Sequence, residues 1–291
     1  VTDIFLGYQQ KFDINYWKLD GMLLHPSTAP SEYYVTGSPF YTISETYERW
    51  TDLYEDMREN RKGKDLWINM TSYTNPSPWH LQWVNSVWMQ NTGDTGYTNN
   101  HDPVYGLTAN DAYNRPDIKF SDKELREHLF MLGTRGTAFW EYYYSYSMFD
   151  DNKWDINAEA AKWIEDNFDI LQKSMMFGGK PENGDVYGYS CWNGSDGIVS
   201  LRNPSDKEQT YTIKYDRLIG VGENTKDVYG KVIIGDVAKY QNNNKLSYND
   251  EITYTLQPKE VLIMQYGAQD ILAAQIESIH ENENKLEVTF N

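Results

Sequence analysis

Cysteine, histidine and long apolar runs are all scarce in this sequence, and each scarcity removes a class of function. The single cysteine, Cys191, excludes an internal disulfide and any multi-cysteine metal site, and reads as a small buried strand residue. The five histidines include none in the His-Glu-x-x-His spacing that sets two imidazoles on one helix face, so no metal and no cofactor are expected. No apolar run approaches the roughly 18–20 residues of a membrane helix. The opening residues show neither the basic start nor the apolar stretch of a signal peptide. Positive charge is also short: 26 Lys and Arg face 43 Asp and Glu. A net charge of −17 repels phosphate backbones and anionic lipid, which disfavours nucleic-acid and membrane partners and suits a neutral ligand.

Aromatic residues are plentiful, with 10 Trp and 24 Tyr. Their faces pack against the apolar faces of sugar rings, although large aromatics also fill cores. At 291 residues and 40% hydrophobic content the chain can fill more than one core, so two domains are expected. Val1 stands where a Met would open a chain, which reads as a processed or trimmed piece of something longer. The compartment is left unknown, with an extracellular or cell-surface bacterial setting favoured over the cytoplasm.

Strands and helices alternate over residues 14–178. Ile14–Asp20 reads as a short buried strand that Gly21 lets turn. Thr42-x-x-Glu45 has the form of a capping box, and Ile43, Tyr47, Trp50, Leu53 and Met57 recur at helical spacing, so a helix is expected to about Lys62. A strand follows at Leu66–Met70, a short helical stretch opens at Pro76 and Pro78, and a third strand spans Ser86–Gln90. Residues 91–120 read as a long polar loop. Ser121-x-x-Glu124 caps a further helix. Thr137–Tyr144 reads as the strand of highest β propensity, and a helix from about Asn157 is expected to end at Gly178-Gly179. Such alternation implies a parallel sheet, doubly wound or closed as a barrel, and no Gly-rich phosphate loop follows any of its strands. After Gly184 short strands separated by Asn, Gly, Asp and Pro turns read as a β-sandwich, and Gln275–Asn291 as two more strands.

In a parallel barrel the catalytic groups sit at the C-terminal strand ends, and each strand–helix unit takes about 31 residues. Asp20 ends one strand, Asp94 lies past the second strand after it, and Glu141 lies in the last. Those separations match about two and about four units. Each acid also has a plainer reading. An aspartate at a strand end is often a turn former or cap, and Asp94 has rivals in Asp102, Asp111 and Asp117 on the same loop. Glu141 reads as a subsite residue or a buried partner of a basic group, and Arg115 as a substrate clamp or a loop cap. Trp17, Trp79, Trp83 and Trp140 read as packing before sugar platforms.

Tyr16-Trp-Lys-Leu-Asp20-Gly is similar to the Lys-x-Asp strand end that carries the nucleophile in the α-galactosidase and α-N-acetylgalactosaminidase clan of retaining glycoside hydrolases. Val87-Trp-Met-Gln-Asn-Thr-Gly-Asp94 resembles an expanded version of the Trp-x-Ser-Asp context of that clan's acid/base. Gly188-Tyr-Ser-Cys-Trp-Asn-Gly, followed by Gly197 to Ser205, resembles the start of the sandwich that follows the barrel there. The resemblance spans most of residues 10–267 in order of elements. The chain departs from it at Asn69-Met-Thr-Ser-Tyr73, where the clan has a Gly-rich stretch, and by an insertion before Asp94.

The resemblance implies an α/β then all-β fold: the C-terminal portion of a (β/α)8 (TIM) barrel over residues 1–183 and an antiparallel β-sandwich over 184–267. A linker and the start of a further β module would occupy 268–291. Only about 19 residues precede Asp20 where about three units of ~31 residues belong, so the N-terminal half of the barrel is expected from missing sequence or another chain. The implied activity is a retaining α-glycosidase that cleaves α-galactoside or α-N-acetylgalactosaminide linkages of an oligosaccharide or glycan through a covalent glycosyl-aspartate. Asp20 would be the nucleophile and Asp94 the acid/base. Lys18, Trp17, Asn69, Trp88, Asn91, Arg115 and Glu141 are the candidate substrate-binding residues. A transglycosylase on the same scaffold and a non-catalytic carbohydrate-binding protein on a degenerate barrel remain the alternatives.

Overall fold

A computed structural model of the chain describes residues 1–22, 38–72, 77–87, 121–136, 149–241, 245–268, 276–282 and 285–290. Two compact units divide the chain, residues 1–93 and 94–291.

The first unit opens on helix α1 (Thr2–Phe12), which Asp13 ends in the left-handed conformation with φ 50°. Strand β1 (Tyr16–Met22), helix α2 (Pro39–Asn60), strand β2 (Trp67–Ser72), a 3₁₀ turn (Pro78–Gln82) and strand β3 (Ser86–Val87) follow. The three strands pair side by side in the order β1-β2-β3, all parallel. Parallel neighbours require a crossover, which α2 supplies between β1 and β2. The core lies on one side of the sheet, where Leu19, Ile68 and Met70 pack on Leu53, Tyr54 and Met57 of α2. Because side chains alternate along a strand, Lys18, Asp20, Asn69 and Thr71 project from the opposite face.

Helix α2 begins three residues before the expected Thr42. Ser38 precedes it and Pro39 occupies its first position, where a fixed φ and a missing N–H cost nothing. Thr42 instead sits inside the helix, its hydroxyl donating to the Ser38 carbonyl at 3.4 Å. The 3₁₀ turn does begin at Pro78, with the Ser77 hydroxyl accepting from the Trp79 N–H. Of the expected strand Ser86–Gln90, Ser86 and Val87 are described; Thr137–Tyr144 lies outside the described residues.

The second unit contains α3 (Asp122–Gly133), α4 (Asp151–Asp166), a short α5 (Phe168–Leu171) and the sandwich. The capping box at Ser121 forms as expected: its hydroxyl accepts from the Glu124 N–H while the Glu124 carboxylate accepts from the Ser121 N–H. Helix α4 starts six residues before the expected Asn157, because the Asp150 carboxylate accepts from the Lys153 N–H and caps it there. The helical run also ends at Leu171 rather than at Gly178-Gly179. Residues Met175–Gly178 form strand β4 instead, antiparallel to β5 (Tyr187–Asn193). Gly178, at φ 101°, lets the two chains meet: a Cβ there would lie 2.6 Å from the Val186 carbonyl oxygen.

Strands β6 (Asp196–Arg202), β7 (Gln209–Lys214), β8 (Val228–Ile234), β9 (Lys245–Leu246), β10 (Glu251–Leu256) and β11 (Val261–Gly267) complete the sandwich. Six strands make one antiparallel sheet in the order β4-β5-β6-β11-β8-β9, and β7 pairs with β10 in a second. The centre of the large sheet, β5, β6 and β11, is buried on both faces. Tyr187, Tyr189, Cys191 and Ile263 pack on Leu125 and Leu129 of α3 and Ala160 of α4. Val199, Leu201, Met264 and Tyr266 pack on Ile213, Tyr254 and Leu256 of the smaller sheet. This double burial explains why β5 and β6 lack hydrophobic–polar alternation. Strand β6 ends at Arg202, one residue before Asn203-Pro-Ser, as expected. Ile276–Asn282 and Lys285–Phe290 pair as a separate antiparallel hairpin.

Candidate functional site

The site is built from the C-terminal ends of β1 and β2. Their register sets Tyr16 beside Trp67, Lys18 beside Asn69 and Asp20 beside Thr71. After Asp20 the register slips, so that Asp20, Gly21 and Met22 oppose only Thr71 and Ser72. A bulge of this kind bends the strand and re-aims the side chain beside it. Gly21 therefore marks a bulge within the strand and not the turn that ends it.

Asp20 is exposed, Lys18 is half-buried, and Asn69 and Thr71 are buried. The Asn69 amide nitrogen donates to the Tyr16 hydroxyl at 3.3 Å. On the same face the Trp67 indole donates to Ser86 Oγ at 3.1 Å, and Ser86 stands opposite Asn69 across β3. Neither Asn69 Oδ1 nor Thr71 Oγ1 has a hydrogen-bond partner among the described residues. A carboxylate, an ammonium group, an amide and a hydroxyl thus share one strand-end face. Such a surface can bind a polyhydroxylated neutral molecule and present it to a carboxylate.

Of the residues singled out in the sequence, the structure brings together Asp20, Lys18 and Asn69. Trp17 lies on the opposite face, its indole donating to Gln9 Oε1 at 3.1 Å and its ring 5.1 Å from that of Phe5. Asp94, Trp88, Asn91, Arg115 and Glu141 lie outside the described residues. Tyr16, Thr71 and Ser86 were not singled out. Strand alternation alone points to the first two, since each falls two residues from a candidate.

Trp83 packs edge-on against Tyr47 and donates to Glu55, and Trp79 packs edge-on against Trp83. Cys191 is fully buried, and burial pushes its thiol up to about 12, which removes it as a nucleophile. Among the described residues no group of His, Cys, Asp and Glu is placed to hold a metal ion, and no helix is long and apolar enough to cross a membrane.

No protein-family model and no curated protein sequence matches this chain. Solved structures do. α-Galactosidase I from Mortierella vinacea is similar with a TM-score of 0.52 at 14% identity, over 92% of this chain and 71% of that one. The α-galactosidase of Saccharomyces cerevisiae gives 0.51 at 12% identity, over 91% and 74%. An α-amylase from Geobacillus thermoleovorans, complexed with acarbose, gives 0.52 at 8% identity, over 92% and 63%. The chain therefore has the fold of the α-galactosidases, a partial (β/α)8 barrel followed by an antiparallel β-sandwich.

Proposed function

We propose that this chain carries the nucleophile half of a retaining α-glycosidase acting on galactose- or N-acetylgalactosamine-configured glycans. The observation that carries the reading is the Lys18–Asp20 pair on the polar face, at the C-terminal end of a parallel strand, in a chain with the α-galactosidase fold. That place in a barrel is where the chemistry of such enzymes is housed.

Two carboxyl groups divide the work. The ionised Asp20 attacks the anomeric carbon, and a protonated carboxyl gives its proton to the departing oxygen; the two stand about 5–5.5 Å apart in retaining enzymes. Asp94 is proposed for the second role, with Trp88, Asn91, Arg115 and Glu141 around the sugar. Lys18 shares a strand face with Asp20, so its ammonium group can donate to the hydroxyls of a sugar held beside the carboxylate. Water then gives a proton to the second carboxylate and attacks the anomeric carbon from the face that the departing oxygen left, which breaks the bond to Asp20 and retains configuration.

The test is Asp20→Asn in the intact polypeptide, assayed on an aryl α-galactoside. Turnover should fall by about three orders of magnitude or more, since covalent catalysis and stabilisation of the oxocarbenium-like transition state vanish together. Added azide should yield the inverted β-galactosyl azide, because the small anion enters from the face that the carboxylate occupied. Retention of more than about a tenth of the activity, a barrier change of only ~1.4 kcal/mol, would sink the assignment of Asp20.

A further inference from the structure

The face that carries Asp20 also holds two buried polar atoms for which the fold supplies no partner. Asn69 is 3% exposed and Thr71 9%, and Asn69 Oδ1 and Thr71 Oγ1 are unpaired among the described residues. Folded proteins rarely leave such groups unpaired, and here two occur at consecutive same-face positions of one strand. Their Cα atoms are spaced by two strand residues, about 6.6 Å, close to the breadth of one pyranose ring. The Asn69 amide nitrogen is engaged by Tyr16, so the atom left over is an acceptor. It suits a hydroxyl or an amide N–H and repels a carboxylate or sulfate. The Thr71 hydroxyl can donate and accept.

We infer that Asn69 and Thr71 form a recognition ledge for one neutral pyranose unit, Asn69 accepting from a ring hydroxyl or an acetamido N–H and Thr71 exchanging a hydrogen bond with a second sugar oxygen. The inference rests on the glycosidase reading above and deepens it. Thr71 is the register partner of Asp20, so a ring held on the ledge lies beside the carboxylate. The ledge is a binding device whose unpaired groups cost the free protein stability until a sugar meets them.

Thr71→Val, which keeps the shape and removes the hydroxyl, separates this role from a structural one. A residue that holds the fold together loses stability on such a change; a binding residue kept unpaired gains it. In the intact chain the melting temperature should rise by about 2 °C or more. The dissociation constant for galactose or N-acetylgalactosamine, titrated by calorimetry, should rise about tenfold. Thr71→Ser should restore the affinity, and 2-deoxygalactose set against N-acetylgalactosamine distinguishes the hydroxyl donor from the acetamido donor. A Thr71→Val protein that melts lower than the wild type, or that binds sugar equally well, overturns the ledge while leaving the glycosidase reading in place. A wild-type chain that binds none of these sugars overturns both.

Discussion

A buried hydroxyl is tolerable when another group meets it, and this chain shows both cases. In the sandwich the phenols of Tyr215, Tyr254 and Tyr266 close a ring at 2.9, 2.6 and 3.0 Å, each oxygen able to donate once and accept once. All three are buried, and burial is the first cause raising each phenol above its ordinary range, so the ring stays protonated. Beside Asp20 the Thr71 hydroxyl has no such partner among the described residues. The contrast separates a group that serves the fold from one that serves a ligand. Tyr215→Phe should break two sides of the ring and leave the Tyr254–Tyr266 pair incompletely satisfied. The expected loss is about 1–3 kcal/mol in denaturant titration. A variant within about 0.5 kcal/mol of the wild type would mean that the ring contributes nothing to stability.

At the scale of elements, much was legible because local chemistry and tertiary context agree. The Ser121 box, the Pro78 turn and the sandwich strands between their Asn, Gly and Pro turns all formed where the sequence put them. The errors have physical causes. Asp150 caps α4 although the apolar spacing begins only later, and Pro39 starts α2 ahead of a Thr-x-x-Glu pattern that ends up inside the helix. Gly178-Gly179 reads as a helix stop, yet it closes a short strand that turns back to pair with β5 from Tyr187 on, and a strand of four residues is too brief to show a period.

The site was legible only in part. Alternation puts Lys18 and Asp20 together and, applied as strictly, puts Trp17 on the far face. The pairing of Asp20 with Thr71 needs the register of two strands separated by a helix, which no local pattern encodes. Gly188 likewise carries a meaning visible only in the sheet. A Cβ there would lie 1.8 Å from the backbone oxygen of Ser200, on the neighbouring strand β6. Backbone cannot rotate away as a side chain can. Gly188→Ala should therefore cost at least about 3 kcal/mol or prevent folding, read by chemical denaturation. A loss under about 1 kcal/mol would mean that β5 and β6 do not approach this closely.

At the scale of the whole molecule, an excess of acids makes the response to acid informative, and the second unit carries a specific pair that shapes it. His128 on α3 is 4% exposed, and desolvation first, then the charges of Arg202 and Arg135, lowers it from 6.5 to about 3. Glu127 beside it is raised above its ordinary 4.5, first by burial and also by Glu260, against the opposing pull of Lys123 and Arg202. The two act in opposite senses. Below pH 6.5 the unfolded chain binds a proton at His128 that the folded chain refuses, so stability falls as pH falls, until the folded group also titrates near 3. Glu127 takes its proton in the folded state first, so stability rises as pH falls towards 4.5 and gains nothing below that. As pH falls towards 4.5 the carboxyl should therefore offset part of the imidazole's loss, and below 4.5 the loss should steepen.

His128→Gln isolates the imidazole, because glutamine does not titrate. The stability difference between wild type and variant should shift against the wild type by up to about 1.4 kcal/mol per pH unit between 6.5 and 3, the slope of one proton. In Glu127→Gln the offset disappears, and the decline should run evenly from 6.5 downwards. Exposed acids such as Asp13 and Asp150, whose paired lysines and arginine hold them below the usual carboxylate range, contribute equally to wild type and variants and cancel in the comparison. Guanidine titrations at half-unit steps from pH 7 to 4 would decide the matter: a wild-type-minus-His128→Gln difference that stays flat across that range would mean that His128 takes up its proton in the folded protein over the same pH range as in the unfolded chain.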